Sequence, residues 1–350
     1  MARLYGKVMS KDDIRKRVGD ISQIADMRLM SFEEGKARGM RSIECRNGSG
    51  LDFTILPDRG MDIAWASFQG MPFSYISKSE VCRPDYFVEN KEKGFLDNFF
   101  AGVLTTSGLS NTGSPNEDEG KAYGLHGVIN NIPANEVSIT KEWNADEYCM
   151  TARGRVRQGR FYGEEFTLIR TIETRMGVNK IVVKDVYENT GFTSQPFMLL
   201  YHMNFGYPFL SGDSRLVLNP GKIKPRTEEA KKGIDAYAGL SEPVHGYQEQ
   251  CFYHDFEPDE EGMVRAGLYN PNLGANGLGI YLNYRKDELP YFCQWKQLGE
   301  QEYVMGLIPA NGYAEGRSAA RKQGELVMLE PGQKKCVTLE IEVKEEELNN

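Results

Sequence analysis

Histidine and tryptophan are scarce in this chain, four and three residues among 350, and several familiar signatures are missing altogether. No window approaches the roughly 20 apolar residues that a bilayer-spanning helix needs. The opening Met1-Ala2-Arg3-Leu4-Tyr5-Gly6-Lys7 lacks the apolar stretch of a signal peptide, so a cytoplasmic protein without membrane contact is expected. The six cysteines (Cys45, Cys82, Cys149, Cys251, Cys293 and Cys336) stand singly, with no Cys-x-x-Cys pair and no histidine at ligand spacing. Disulfides and a bound metal are therefore not expected. Positive charge is concentrated nowhere and the formal net charge is -8, which argues against a nucleic-acid partner. The chain also lacks a βαβ rhythm, a dinucleotide fingerprint, a Gly-Lys-Ser/Thr phosphate loop and any fixed-length repeat.

What is present is strand signal. Arg41-Ser42-Ile43-Glu44-Cys45-Arg46, then Asn47-Gly48, then Leu51-Asp52-Phe53-Thr54-Ile55-Leu56 reads as two strands joined through an Asn-Gly turn. From residue 136 onward, short runs rich in β-branched residues follow one another, separated by turn formers. The last of them alternates, with Val337, Leu339, Ile341 and Val343 on one face and Thr338, Glu340, Glu342 and Lys344 on the other, the pattern of a half-exposed antiparallel sheet. A short leading helix is predicted after Ser10, with Asp12 and Asp13 in its first turn, and residues 1–39 read as a peripheral helical segment. Residues 222–241 interrupt the strands and read as a long loop with a helical turn. These features predict one all-β domain over residues 1–350, its many antiparallel strands forming two stacked sheets.

Chemistry-bearing residues cluster in a few stretches. Leu199-Leu200-Tyr201-His202-Met203-Asn204-Phe205-Gly206-Tyr207-Pro208 sets an imidazole, a carboxamide and two phenols at the end of an apolar run. His202 is either a proton-transfer group at the mouth of a cleft or a core histidine bonded to a backbone carbonyl. His126 sits between Gly124-Leu125 and Gly127, a bend in which glycine admits close access to the ring. Residues 101–113, small and hydroxyl-rich and including Asn111, let backbone approach a ligand. Arg59, in Pro57-Asp58-Arg59-Gly60-Met61-Asp62-Ile63, reads equally as a local ion-pair clamp or as a fork for hydroxyls or an anion. His254 and Asp255 are strand neighbours that point to opposite faces unless the strand ends there. Trp295, followed by Lys296, can stack on a sugar ring or fill a core.

The order of these stretches resembles the aldose 1-epimerases of the galactose mutarotase superfamily, and more closely a bacterial branch of it. The likeness runs from Arg41 to Val343 and rests on residues 99–134 with Leu125-His126-Gly127, on the strand ending in Phe205, on the Arg59 turn and on Gly306-Leu307-Ile308-Pro309-Ala310-Asn311. The resemblance implies a β-supersandwich of mostly antiparallel strands with a sugar cleft on the concave face of one sheet. It implies no cofactor and a small-molecule sugar as partner, in a monomer or homodimer. A carboxylate would take the proton of the anomeric hydroxyl, a histidine would give one to the ring oxygen, the aldehyde would rotate, and closure would reverse both steps. His202 matches the acid and His126 the second histidine, which steadies charge near the ring oxygen. Arg59 fits that branch's motif and would contact hydroxyls, or a phosphate or carboxylate on a modified sugar, and Asn111, Tyr201, Asn204, His254, Asp255, Trp295, Lys296 and Asn311 are the further candidate sugar contacts.

One position departs from that pattern. Where the resemblance requires a glutamate base, the chain reads Leu307-Ile308-Pro309, and Ile308 cannot take a proton. Glu315 is the nearest replacement, with a solvated loop residue as its other reading. His254 or Asp255 are further substitutes, and a chain that binds its sugar without turnover is the alternative.

Overall fold

The long strands that alternate lie together in one of two sheets. The computed structural model describes residues 1–346, apart from the side chain of Pro220. The smaller sheet has eight strands, in spatial order Asn135–Asn144, Glu147–Gly159, Glu165–Arg175, Lys180–Asn189, Lys334–Glu345, Leu278–Arg285, Met263–Asn270 and Arg215–Val217. Its long members alternate between buried and open positions, and Val337, Leu339, Ile341 and Val343 all face inward as expected. One face meets the other sheet and one meets water.

The larger sheet runs Pro220–Pro225, Gln250–Phe256, Tyr291–Gly299, Glu302–Ala310, Met198–Phe205, Leu104–Leu109, Asp62–Phe68, Leu51–Leu56, Arg41–Arg46 and Asp26–Ser31, with Met71–Pro72 alongside Asp62–Phe68. Every pairing within both sheets is antiparallel. Met198–Phe205 is buried at all eight positions because both of its faces are covered. Leu199, Tyr201, Met203 and Phe205 join the core between the sheets, whereas Leu200 belongs to a separate apolar cluster on the outer side. That double cover explains a run without alternation, and it puts His202 on the outer side with Leu200.

A buried ionic cluster ties the sheets together behind this strand. The Arg170 guanidinium meets Asp185 through Nε (2.9 Å) and Nη2 (2.7 Å) and Asp62 through Nη1 (2.7 Å), all with no exposed side-chain surface. Tyr201 Oη donates to Asp185 Oδ2 at 2.6 Å, and Tyr187 Oη donates to the same oxygen at 2.8 Å. Two carboxylates around one guanidinium hold Arg170 charged, while burial pushes Asp62 up to about 6 against the pull of Arg170 and Thr106.

The Asn-Gly hairpin forms as expected, Ile43 pairing with Ile55 and Arg46 with Asp52, and Gly48 takes a φ of 79°. Two expectations are corrected. Of residues 1–39, the α-helix is only Lys11–Arg15, closed by a Ser10–Asp13 capping box. Ala2–Leu4 and Lys7–Met9 form a hairpin, Asp26–Ser31 is an edge strand of the larger sheet, and Ala2, Leu4 and Ile14 are buried in the core rather than peripheral. Apolar residues spaced among charges had hidden that burial. The 222–241 loop likewise begins as the outermost strand, Pro220–Pro225, before the helix Glu228–Lys232 with its Thr227 N-cap.

Candidate active site

Antiparallel register assembles the site from residues far apart in sequence. Leu200 pairs with Ala310 and Met203 with Leu307, which sets Ile308 across from His202. Ile308 pairs with Cys293, and Cys293 with Tyr253. A single row therefore crosses four strands on one face, from an imidazole through two apolar side chains to a phenol. Above this row lies a cavity of about 330 Å³, bounded by His126, His202, Trp295, Arg226, Ile308 and Cys293 among others. A groove of about 480 Å³ beside Trp65 and Arg28 crosses the distal strands of the same sheet, but no histidine lines it.

His126 and His202 meet edge to face, with ring centroids 5.7 Å apart. Their hydrogen bonds assign opposite tautomers. Asn204 Nδ2 donates to the carbonyls of Gly102 (3.1 Å) and His202 (2.8 Å), so its Oδ1, 2.6 Å from His202 Nδ1, receives the ring N–H. Neutral His202 then carries a lone pair on Nε2. At His126 the backbone N–H of Gly113 donates to Nδ1 (3.2 Å), so the ring proton sits on Nε2. Among the described residues no hydrogen bond to either Nε2 is formed. Burial pushes His202 down to about 4, against the Asn204 contact, and pushes His126 well below the usual histidine range, helped by His202 and Arg226. Both rings are neutral near pH 7.

Local backbone explains how the His126 ring is held. Gly113 has a φ of 76°, and a Cβ there would come within 1.9 Å of the Ala314 oxygen. His126 itself takes a left-handed φ of 58°, a strained choice for a residue with a side chain. Gly127 next to it lies against Gly108, where a Cβ would fall 2.1 Å from the carbonyl oxygen. Gly127 thus serves backbone packing, while a Cβ at Gly124 would fall 2.0 Å from the Glu89 carboxylate. Aromatic rings close the sides: Phe95 lies 4.9 Å from His126, and Phe99 and Trp295 lie 5.0 and 5.2 Å from His202.

The remaining sequence-predicted residues divide sharply. Trp295 lines the cavity, its Nε1 donating to Glu249 Oε2 at 2.7 Å. Glu315 does not line the cavity but meets a residue that does: its Oε1 accepts from Arg226 Nε (3.3 Å) and from Tyr253 Oη (2.7 Å), and its backbone bridges Gly113. Asn204 orients His202. The others do not line the cavity. Tyr201 faces the buried ionic cluster, one residue out of phase with His202. Arg59 has no exposed surface and donates to the carbonyls of Asn130, Cys82 and Asn98, a backbone clamp. Asn111 bonds the Gly124 carbonyl and Asn311 ties Leu199 to Phe197, both through backbone.

His254 packs among Phe256, Phe292 and Tyr237 on the far face of its strand, its Nε2 2.9 Å from Gln294 Oε1. Asp255 is exposed and paired with Lys286, and Lys296 donates to the Ala236 carbonyl on the face opposite Trp295. In each case strand alternation, or a backbone partner, claims the side chain. Arg226, Glu249 and Ser114, which also bound the cavity, carry no motif in the sequence, because loops bring them there. Among the described residues no group of three or more His, Cys, Asp or Glu side chains is placed to hold a metal ion, and no helix is long and apolar enough to cross a membrane.

This architecture is the galactose mutarotase-like fold. A Klebsiella pneumoniae subsp. pneumoniae MGH 78578 protein described as a candidate aldose 1-epimerase superimposes with a TM-score of 0.86 at 24% identity, covering 97% of this chain and 87% of that one. A galactose mutarotase-like protein from Clostridium acetobutylicum gives 0.63 at 14% identity, covering 92% and 99%. The galactose 1-epimerase of Lactobacillus acidophilus NCFM gives 0.55 at 12%, covering 92% and 99%. Identities this low establish the fold alone. No curated protein sequence matches the chain. The chain belongs to the family described as Domain of unknown function (DUF4432), whose family model matches residues 37–343.

Proposed function

We propose that the cavity interconverts the anomers of an aldose by opening and reclosing the hemiacetal ring, without a cofactor. The observation that carries this reading is the complementary pair of imidazoles, one presenting a lone pair and the other an N–H to the same space. Ring opening needs both: a base for the anomeric hydroxyl and a donor for charge developing on the ring oxygen.

Neutral His202 accepts the anomeric proton on Nε2. The C1–ring-oxygen bond breaks with its electron pair on the ring oxygen, C1 becomes an aldehyde carbon, and the imidazolium returns the proton to the ring oxygen. Both oxygens are bonded to C1, so one ring can serve them in turn. His126 Nε2–H hydrogen-bonds the ring oxygen as charge grows there, and rotation about C1–C2 followed by the reverse steps gives the other anomer. This assignment departs from the sequence expectation, in which His202 is the acid and Glu315 the base. Glu315 Oε1 is already engaged by Tyr253 Oη and Arg226 Nε, and the Tyr253 backbone stands three inter-strand steps of about 4.8 Å from His202, although the Glu315 backbone itself bridges Gly113 beside His126. We therefore read Glu315, held by Tyr253 and Arg226, as a partner for a sugar hydroxyl and not as the base.

The test is relaxation of a freshly dissolved anomer, followed by polarimetry across hexoses, pentoses and their acidic and phosphorylated forms. Acceleration by the protein is expected, and His202→Ala should lower it by about 10²- to 10⁴-fold. Acceleration of no sugar in the panel would overturn the reading. Ile308, apolar beside His202, favours the second reading, a carbohydrate-binding protein without turnover, which would show thermal stabilisation by a sugar and no catalysis.

A further inference from the structure

The floor of the cavity is unusually short of hydrogen-bonding groups for a site that takes a polyhydroxylated ligand. Between His202 at one end and Tyr253 with Glu315 at the other, the row across the strands is Ile308 and Cys293. These two belong to an apolar cluster with Leu200, Cys251 and Ala314, distinct from the core between the sheets and packed under the cavity. The thiols do not relieve it. The Cys293 thiol donates to the Gln294 carbonyl at 3.7 Å, and Cys251 stands beside it in the same cluster. The neighbouring Cys251 thiol, with burial, holds Cys293 protonated, as a small apolar group. On the other side, Phe99 and Trp295 offer ring surface.

We propose that the sugar taken here is a deoxy sugar, carrying a methylene or methyl group where it faces Ile308 and Cys293. The proposal deepens the anomer-interconversion reading and rests on it for the pose. A hydroxyl pressed against this wall loses its water and gains no partner, whereas a CH₂ or CH₃ gains apolar contact. The polar atoms of the ligand are served instead by the imidazoles and by Arg226 and Glu249, which also bound the cavity. An apolar wall of this kind separates a methylene from a hydroxyl by about 10- to 200-fold in kcat/KM, because water can still follow a hydroxyl in part.

The experiment compares matched pairs on the purified full chain: galactose with 6-deoxygalactose, glucose with 2-deoxyglucose, and ribose with 2-deoxyribose. Anomer relaxation and thermal stabilisation are both measured at equal sugar concentration. In at least one pair the deoxy member should exceed its parent by 10-fold or more in kcat/KM. Cys293→Ser and Ile308→Thr, which place a hydroxyl in the wall, should shrink that ratio even where they lower overall activity, and a general loss of folding would not change a ratio. Selective stabilisation by a deoxy sugar without turnover would support the wall's preference and end the catalytic reading. Turnover of every parent at least as fast as its deoxy partner would overturn the preference and leave the catalytic reading standing. Neither turnover nor stabilisation by any of the six would overturn the preference, and the catalytic reading falls with it only if the acidic and phosphorylated sugars are inert as well; a ratio unmoved by the two substitutions would show that this wall does not set it.

Discussion

Asn204 Oδ1 lies 2.6 Å from His202 Nδ1, two residues along one strand and on the same face of it. The carboxamide accepts the ring N–H and has no charge with which to hold an imidazolium, so His202 rests neutral with Nε2 free. Asn204→Asp keeps the geometry and adds that charge, which favours the protonated ring. Activity that requires neutral His202 is lost as pH falls through its pKa, about 4 in the native protein. In Asn204→Asp the acid limb of kcat/KM against pH should move to higher pH. An unshifted limb would show that His202 does not act as the base.

Glu315 and His202 make competing claims to that role. Glu315→Gln retains a side chain able to meet Tyr253 and lose only its charge toward Arg226. If the carboxylate only holds a hydroxyl, KM should rise while kcat changes by less than about 10-fold. Loss of a general base costs about 10²- to 10⁴-fold, and a fall of that size in kcat would assign the base to Glu315.

Stability should decline on the acid side in a defined window. Burial lowers His202 and His254 to about 4 and His126 well below its usual range, whereas the unfolded chain titrates near 6.5. Lowered folded values mean that the unfolded state binds more protons between those limits, so the contribution is complete above 6.5 and is lost as pH falls toward 4. Asp62, held up to about 6 by burial, pulls the opposite way, as do Asp52 and Glu89, raised by partial burial, whereas the three imidazoles are the more deeply buried groups. The melting temperature should therefore drop between pH 7 and pH 4.5, and the triple variant replacing these histidines with glutamine should show a shallower drop.

Arg170 gives a test of the scaffold apart from the site. Arg170→Met leaves Asp62 and Asp185 buried without their cation, and removal of one partner from such a cluster costs about 3–5 kcal/mol. The denaturant midpoint should fall accordingly. Adding Asp62→Asn and Asp185→Asn should recover part of it, since the uncompensated charges go with them.

The amino-acid sequence by itself determined the strands, the Asn-Gly hairpin and the inward face of Lys334–Glu345, because periodicity and turn chemistry act over a few neighbours. It also marked His126 and His202, through the order of motifs. Which side chains share the cavity was decided only by tertiary structure. Register across four strands aligned His202, Ile308, Cys293 and Tyr253, and loops delivered Arg226 and Glu249, none of which local pattern encodes. The same register turned Tyr201, His254 and Lys296 away from the cavity, since a shift of one residue along a strand moves a side chain to the other face. Arg59 lies away from the cavity for a different reason: three distant carbonyls, brought together by folding, accept from its guanidinium in the interior.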